Sequence, residues 1–121
     1  MSGPQFEVVR TTRDAGKVKV SVLALHGQLD AETFPGLQGE LEEVLDGSGA
    51  PKVVLDCADL EYISSAGLGV LSKMTKEFRD KQGDLRLAAL PEKIASVVSL
   101  LGFDQVIKVF AHTDDAVRSY A

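Results

Sequence analysis

Residues that bind metals or form disulfides are scarce in this chain of 121 residues. Cys57 is the only cysteine, so no intramolecular disulfide can form and no CxxC pair exists. The two histidines, His26 and His112, lie far apart, and there is no HExxH pattern. We therefore expect no metal and no cofactor. Cys57 lies within the apolar segment KVVLDCADL, which favours a buried core residue over a reactive thiol.

Positive charge and long apolar runs are also lacking. Lys and Arg number 13 against 18 Asp and Glu, which gives a formal net charge of −5. A protein that binds nucleic acid needs a basic face, so we expect no nucleic-acid partner. No apolar run approaches the roughly 20 residues that span a bilayer, and the N-terminus lacks a signal-peptide pattern. We expect a cytoplasmic protein with no direct membrane insertion.

The common catalytic motifs are missing as well. The chain has no P-loop pattern GxxxxGK[ST], and Gly67-Leu68-Gly69 does not continue into a GxGxxG fingerprint. The segment ISSAG lacks the GxSxG pattern of a nucleophilic serine. These absences indicate that the protein is not an enzyme.

The chain does contain a regular alternation of strand and helix patterns. Strands are predicted over residues 5–12, 18–27, 52–58, 84–90 and 105–110. Helices are predicted over residues 32–49, 65–81 and 91–102, and from 113, with Thr113 as the cap of the last helix. Within the first helix Pro35 suits an early position and Gly47 the end, while Gly83 and Gly102 end the second and third.

This order of elements predicts an α/β fold. Repeated strand–helix–strand units form a mostly parallel sheet with right-handed crossovers, flanked here by about four helices. The first two strands, joined at Gly16, add an N-terminal antiparallel hairpin. The length is that of one domain, and we assign residues 1–121 to it.

Two adjacent serines stand at the predicted strand-to-helix turn, in the segment LEYISSAGLGVLSK. A serine there can cap the helix by accepting a backbone N–H, and without further information this is the favoured interpretation. The turn also lies at the carboxyl end of a strand, where α/β proteins bind ligands and partners. The alternative is therefore that one serine is the substrate of a kinase.

The helix that follows offers a candidate interaction surface. Its inward positions are predicted to be Gly67, Val70, Leu71, Met74 and Phe78. Leu68 and Ser72, in line with Thr75 and Arg79, are predicted to point away from the core. Basic residues outnumber acidic ones along this helix, and the simplest interpretation of them is a solvated face.

These segments resemble the STAS domain, and most closely the bacterial anti-sigma factor antagonists. The resemblance covers KVVLDCADLEYISSAGLGVL, the preceding LHGQLDAETFPGLQGEL and the later LLGFDQVIKVFAHTDDAV. It implies a partner that is both an anti-sigma factor and a serine kinase, captured by the unmodified protein. Phosphorylation then releases this partner, and a serine phosphatase resets the cycle.

The resemblance also implies particular site residues. The family's motif is usually Asp-Ser-Ser/Thr-Gly-Leu-Gly, with the first serine as phosphoacceptor, and aligning Gly67-Leu68-Gly69 places Ser65 there. Ser64 then replaces the aspartate, and Ala66 the second hydroxyl residue. Asp30 matches an acidic position of the family facing the same surface, although it could equally cap the first helix. The expected partner surface comprises Asp30, Ser64, Ser65, Ala66, Gly67, Leu68 and Ser72.

Two other functions remain open for such a domain. One is a non-switching STAS adaptor, docked on a transporter or within a signalling scaffold, which the loss of the motif's aspartate slightly favours. The other is a nucleotide-binding STAS protein, against which the missing P-loop argues.

Overall fold

The computed structural model of the protein describes residues 6–47 and 49–121. The strands are β1 (Phe6–Ala15), β2 (Val18–Leu29), β3 (Lys52–Ile63), β4 (Asp84–Ala88) and β5 (Val109–Phe110). The helices are α1 (Phe34–Leu45), α2 (Ser65–Asp80), α3 (Glu92–Leu100) and α4 (Thr113–Arg118). Gln5, in the first predicted strand, and Ser48, in the first predicted helix segment, lie outside the described residues.

The strands form one sheet in the order β1-β2-β3-β4-β5. β1 and β2 pair antiparallel, and the other neighbours pair parallel, which confirms the predicted α/β class with its N-terminal hairpin. The hairpin turn uses Gly16 with φ of 61°, in the left-handed region that glycine enters without a Cβ clash. No helix in the described parts of the chain is long and apolar enough to cross a bilayer.

The helices are divided between the two faces of the sheet. One large core cluster joins buried residues of α1, α2 and α3 to β2, β3 and β4. A smaller cluster packs Ala116 and Val117 of α4 on Val20, Val22 and Val54 of the opposite face. α2 connects β3 to β4 and contributes to the larger core.

β3 is longer than predicted and irregular. The sequence pattern ended at residue 58, yet the strand continues to Ile63. Its pairing with β2 shifts twice, once opposite Ala24–His26 and once opposite Gly27–Gln28. At each shift β3 has one residue more than β2, which interrupts the alternation of inward and outward side chains. The second half of β3 therefore lacks the sequence pattern of a strand. Because the strand runs on, Ser64 follows it directly.

Several other boundaries differ from the prediction. β5 has only two residues, and Phe103–Gln105 before it form a 3-10 turn. Thr113 is the first residue of α4, and His112 precedes it without a side-chain cap, so the predicted Thr113 cap is wrong. α2 ends at Asp80, and the left-handed residue after it is Gln82, with φ of 65°. Gly102 ends α3 with φ of 77°, as expected for a glycine there.

Candidate functional site

The carboxyl ends of two neighbouring parallel strands bring the predicted site together. Leu29 of β2 pairs with Ile63 of β3, and the Ser64 N–H donates to the Leu29 carbonyl oxygen at 2.9 Å. Asp30 and Ser64, the residues that follow β2 and β3, therefore lie side by side. This edge is where α/β sheets meet ligands and partners.

Ser64 caps α2. Its backbone is extended, with φ of −83° and ψ of 160°, and its Oγ accepts the Gly67 N–H at 3.0 Å. Gly67 is buried, and a Cβ there would lie 3.3 Å from Ser64 Oγ and 3.4 Å from the Leu29 carbonyl oxygen. Its lack of a side chain lets the helix begin close to β2. The capping function thus belongs to Ser64.

Ser65 is the first residue of α2 and is exposed. No hydrogen bond engages its hydroxyl within residues 6–47 and 49–121. The first turn of the helix carries no acidic residue, so the partial positive charge of about +0.5 at the helix N-terminus has no side-chain counterion. The hydroxyl is accessible, and a phosphate attached to it would meet a favourable field.

Asp30 organises the turn between β2 and α1. Its Oδ1 accepts the N–H groups of Glu32 at 3.0 Å and Thr33 at 3.1 Å. The Asp30 N–H in turn donates to Thr33 Oγ1 at 3.0 Å, which completes a reciprocal capping box one turn before the regular helix. Asp30 thus caps the turn that leads into α1, while the N-cap residue of α1 itself is Thr33, which makes no side-chain capping bond. The role of Asp30 toward a partner stays a prediction.

Leu68 does not lie on the surface, and the prediction that it points away from the core is wrong. Its side chain is 0% exposed, as is that of Thr75, whose hydroxyl donates to the Leu71 carbonyl oxygen at 2.8 Å. The buried residues of α2 have the spacing of one ordinary apolar stripe, which includes Leu68 and Thr75 and leaves Val70 half-buried at its edge. Leu68 therefore serves the core and presents no side chain to a partner.

The accessible residues at the start of α2 are small, whereas charged residues are exposed farther along the helix. Ala66 is exposed, and Ser72 is half-buried. Gly69, one turn after Ser65, was missed from the sequence. It is exposed, and a Cβ there would meet nothing within 4 Å. Glycine inside a helix costs about 1 kcal/mol relative to alanine, so the fold alone does not explain Gly69.

An apolar cavity of about 230 Å³ opens beside this helix end, between α1 and α2. Phe34 and Pro35 of α1 line it together with Ala66 and Val70 of α2. In the described residues, no group of three or more His, Cys, Asp and Glu side chains could hold a metal ion. The cavity beside Ser65 is lined mainly by small and apolar groups, and Asp30 adds a carboxylate at the adjacent strand end.

A second exposed apolar area lies next to this site and was also missed. Tyr62, three residues before Ser65, is 49% exposed. Val97, Leu100 and Leu101 at the end of α3 are 40%, 86% and 50% exposed. Val97 and Leu101 have the same helical spacing as Ile94 and Val98, but only the latter two are buried. The signal available in the sequence was the apolar pair Leu100-Leu101 directly before Gly102, which ends the helix.

A family model described as STAS domain matches residues 6–116, nearly all of the described chain. The chain belongs to the STAS domain family. The match includes both strand ends and the helix start that form the site, so the expected resemblance is confirmed.

Curated relatives of this STAS protein carry names from one functional group. BtrV of Bordetella bronchiseptica, to which the role of an anti-sigma factor antagonist is assigned, is 32% identical over 99 residues, covering 82% of this chain and 84% of BtrV. The anti-sigma-B factor antagonist of Listeria monocytogenes is 29% identical over 101 residues, with 80% and 82% covered.

The fold also matches solved STAS structures. The crystal structure of an anti-sigma factor antagonist from Mycobacterium paratuberculosis aligns with a TM-score of 0.76 at 24% sequence identity. The alignment covers 98% of this chain and 97% of the other. At this identity the similarity establishes the fold.

Proposed function

We propose that this STAS protein is an anti-sigma factor antagonist switched by phosphorylation of Ser65. In its unphosphorylated form it binds an anti-sigma factor with serine kinase activity, and the freed sigma factor directs transcription. The names of the curated relatives support the class of function. The exposed Ser65 hydroxyl, beside a Ser64 hydroxyl already used as a cap, is the observation that carries the switch.

The chemistry of the switch is a phosphoryl transfer. The kinase moves the γ-phosphoryl group of ATP to Ser65 Oγ, the hydroxyl proton passes to a base of the kinase, and ADP leaves. A serine phosphatase reverses the modification by hydrolysis. The transfer adds about −1.5 to −2 charges at neutral pH.

The added charge acts on the partner rather than on the fold. The N-terminus of α2 favours an anion, so the domain is expected to keep its structure. A partner matched to the neutral, small side chains of Ser65 and Ala66 would instead have to desolvate a dianion. The carboxylate of Asp30, on the adjacent strand end, adds like-charge repulsion to the phosphate in the modified state.

The replacement of the motif's aspartate by Ser64 is compatible with this function. Aspartate and serine are about equally good N-cap residues, because each offers an oxygen to the free N–H groups of the first turn. Ser64 fills that role through its bond to Gly67. The phosphoacceptor position therefore keeps its geometry without the aspartate.

Phosphopeptide mass spectrometry of the protein from its native cells tests the site. Trypsin releases residues 53–73 as one peptide, which contains Ser64, Ser65 and Ser72. We expect phosphate on Ser65. Phosphate on Ser64 would shift the site by one residue, and an unmodified peptide under several growth conditions would favour a static adaptor.

Binding of the purified anti-sigma factor tests the consequence. Ser65→Glu should weaken binding about a hundredfold, because an unmatched charge in an interface costs several kcal/mol. Ser65→Ala should bind as the native protein does, because it removes the hydroxyl without adding charge or bulk, and it serves as the uncharged control. Equal binding by Ser65→Glu and the native protein would reject the switch.

A further inference from the structure

We propose that the anti-sigma factor is held mainly by an apolar area beside the switch. This area, the α3 surface, consists of Tyr62, Val97, Leu100 and Leu101. The proposal rests on the proposed function, since it assigns a second part of the interface to the same partner. Ser65 then decides whether binding occurs, while the α3 surface supplies most of the affinity.

The four side chains form one continuous area. Tyr62 and Val97 line the same cavity, about 260 Å³ in volume, with Ile63 and Ile94 at its floor. Leu100 and Leu101 follow Val97 by three and four residues, the spacing of neighbours on one helix face. Glu61 and Lys93 border the cavity, so one acidic and one basic group flank the apolar centre.

The side chains of the α3 surface do not contribute to the packing of α3 on the sheet. α3 docks on the sheet through Ile94 and Val98, which are 5% and 1% exposed. Leu100 remains 86% exposed. Single exposed apolar side chains are ordinary, but a cluster of four at one end of a domain is typical of an interaction surface.

The size of the switch site identifies the occupant. A stable protein complex buries about 800 Å² on each partner and depends on a few large anchors, among which tyrosine is enriched. The exposed residues at the start of α2 are Ser65, Ala66 and Gly69, which offer little area. Tyr62 lies three residues from Ser65 on the same chain segment, so a protein that covers Ser65 also reaches the α3 surface.

Affinity measurements with the purified anti-sigma factor and the unphosphorylated full chain test the proposal. Tyr62→Ala and Leu100→Ser should each weaken binding about tenfold or more, the effect of losing an interface anchor. Val9→Ser is the matched control, because Val9 is 45% exposed on the edge strand β1. It pairs with Ala24 and, unlike its neighbour Val8, does not pack on the larger core. The affinity of the Val9→Ser variant for the anti-sigma factor should equal that of the native chain.

The outcomes separate the two proposals. If the native chain binds and Ser65→Glu does not, but Tyr62→Ala and Leu100→Ser bind as tightly as the native chain, the α3 surface proposal is overturned and the switch remains. If Ser65→Glu binds as tightly as the native chain, the switch fails, and Tyr62→Ala and Leu100→Ser alone decide on the α3 surface. If the native chain does not bind the anti-sigma factor, both proposals fail.

Sedimentation of the chain alone tests the other occupant, a second copy. A native dimer that Leu100→Ser dissociates, with unchanged affinity for the anti-sigma factor, would overturn the proposal in favour of self-association. Because Leu100 is 86% exposed, its serine variant should keep the native unfolding midpoint, so weakened binding cannot be attributed to misfolding.

Discussion

At the scale of single residues, two adjacent serines have different tasks because the helix begins between them. Ser64 still has an extended backbone, which turns its Oγ toward the Gly67 N–H. Ser65 already has helical geometry, so its side chain points away from those N–H groups and into solvent. One hydroxyl thus caps the helix, and the other is exposed without a hydrogen bond among the described residues.

Alanine substitutions should separate the two tasks. Ser64→Ala removes the cap, and the free energy of unfolding should fall by about 1 kcal/mol. Ser65→Ala should change it by less than about 0.5 kcal/mol, as exposed substitutions usually do. Urea unfolding followed by circular dichroism measures both. A larger loss for Ser65→Ala than for Ser64→Ala would show that the cap has been assigned to the wrong serine.

At the scale of elements, Gly69 within α2 and Gly83 after it differ in the space that a side chain would have. A Cβ on Gly83 would lie 1.8 Å from the Pro51 carbonyl oxygen, where the α2–β4 connection crosses the start of β3. This contact is backbone and cannot move aside without shifting the strand. Gly69, by contrast, has open space around it. Packing therefore requires a glycine at position 83 but not at position 69.

The pair Gly83→Ala and Gly69→Ala tests this contrast. Gly83→Ala should lower the free energy of unfolding by about 2 kcal/mol or more, because the strand and the connection must separate. Gly69→Ala should raise it by about 0.5 to 1 kcal/mol through helix propensity. Denaturant titration measures both variants. A gain in stability for Gly83→Ala would contradict the close approach to Pro51.

At the scale of the whole molecule, the C-terminal segment contacts two neighbouring strands of the sheet. The Tyr120 hydroxyl lies 2.7 Å from the Val53 carbonyl oxygen and 2.8 Å from that of Asp84, so one group contacts both β3 and β4. The Arg86 guanidinium lies 3.9 Å from the centre of the Tyr120 ring. The buried Asp84 carboxylate accepts from Arg79 at 2.9 Å and from Arg86 at 3.0 Å.

These contacts predict a loss of stability at alkaline pH. Burial raises the pKa of the Tyr120 hydroxyl above its ordinary value near 10, and burial raises the pKa of the Cys57 thiol to about 12. The folded state therefore holds both protons more tightly than the unfolded state. The stability that these two protonated groups contribute is fully present below about pH 8. As the pH rises above the unfolded pKa values, the free energy of unfolding falls by up to about 1.4 kcal/mol per pH unit for each group.

Tyr120→Phe should lower the free energy of unfolding at pH 7 by about 1 kcal/mol and make its decline above pH 10 shallower. Tyr62→Phe is the matched control, because Tyr62 is the other tyrosine of the chain and is 49% exposed. Urea titrations at several pH values measure the slopes. Equal slopes for Tyr120→Phe and the native protein would contradict the role of the buried hydroxyl.

Much of the fold could be predicted because the relevant signals are local. The alternation of Val18, Val20 and Val22, the glycine turn at Gly16 and the helical spacing in α1 each report on a few neighbouring residues. The second half of β3 could not be predicted, since its two irregularities exist only in its pairing with β2. Leu68 has helical spacing to Leu71 and Phe78, and only the packing of α2 on the sheet decided that the buried face includes it.

The sequence by itself determined the order of the elements, the α/β class, the resemblance to the STAS family and the location of a serine pair at a strand end. Local periodicity and turn residues are sufficient for these features. Only the tertiary structure decided which serine caps the helix, that Leu68 belongs to the core, and that Tyr62 and the end of α3 form one exposed area. Those properties depend on which distant segments come into contact, and burial and hydrogen bonding are set by such contacts rather than by neighbours along the chain.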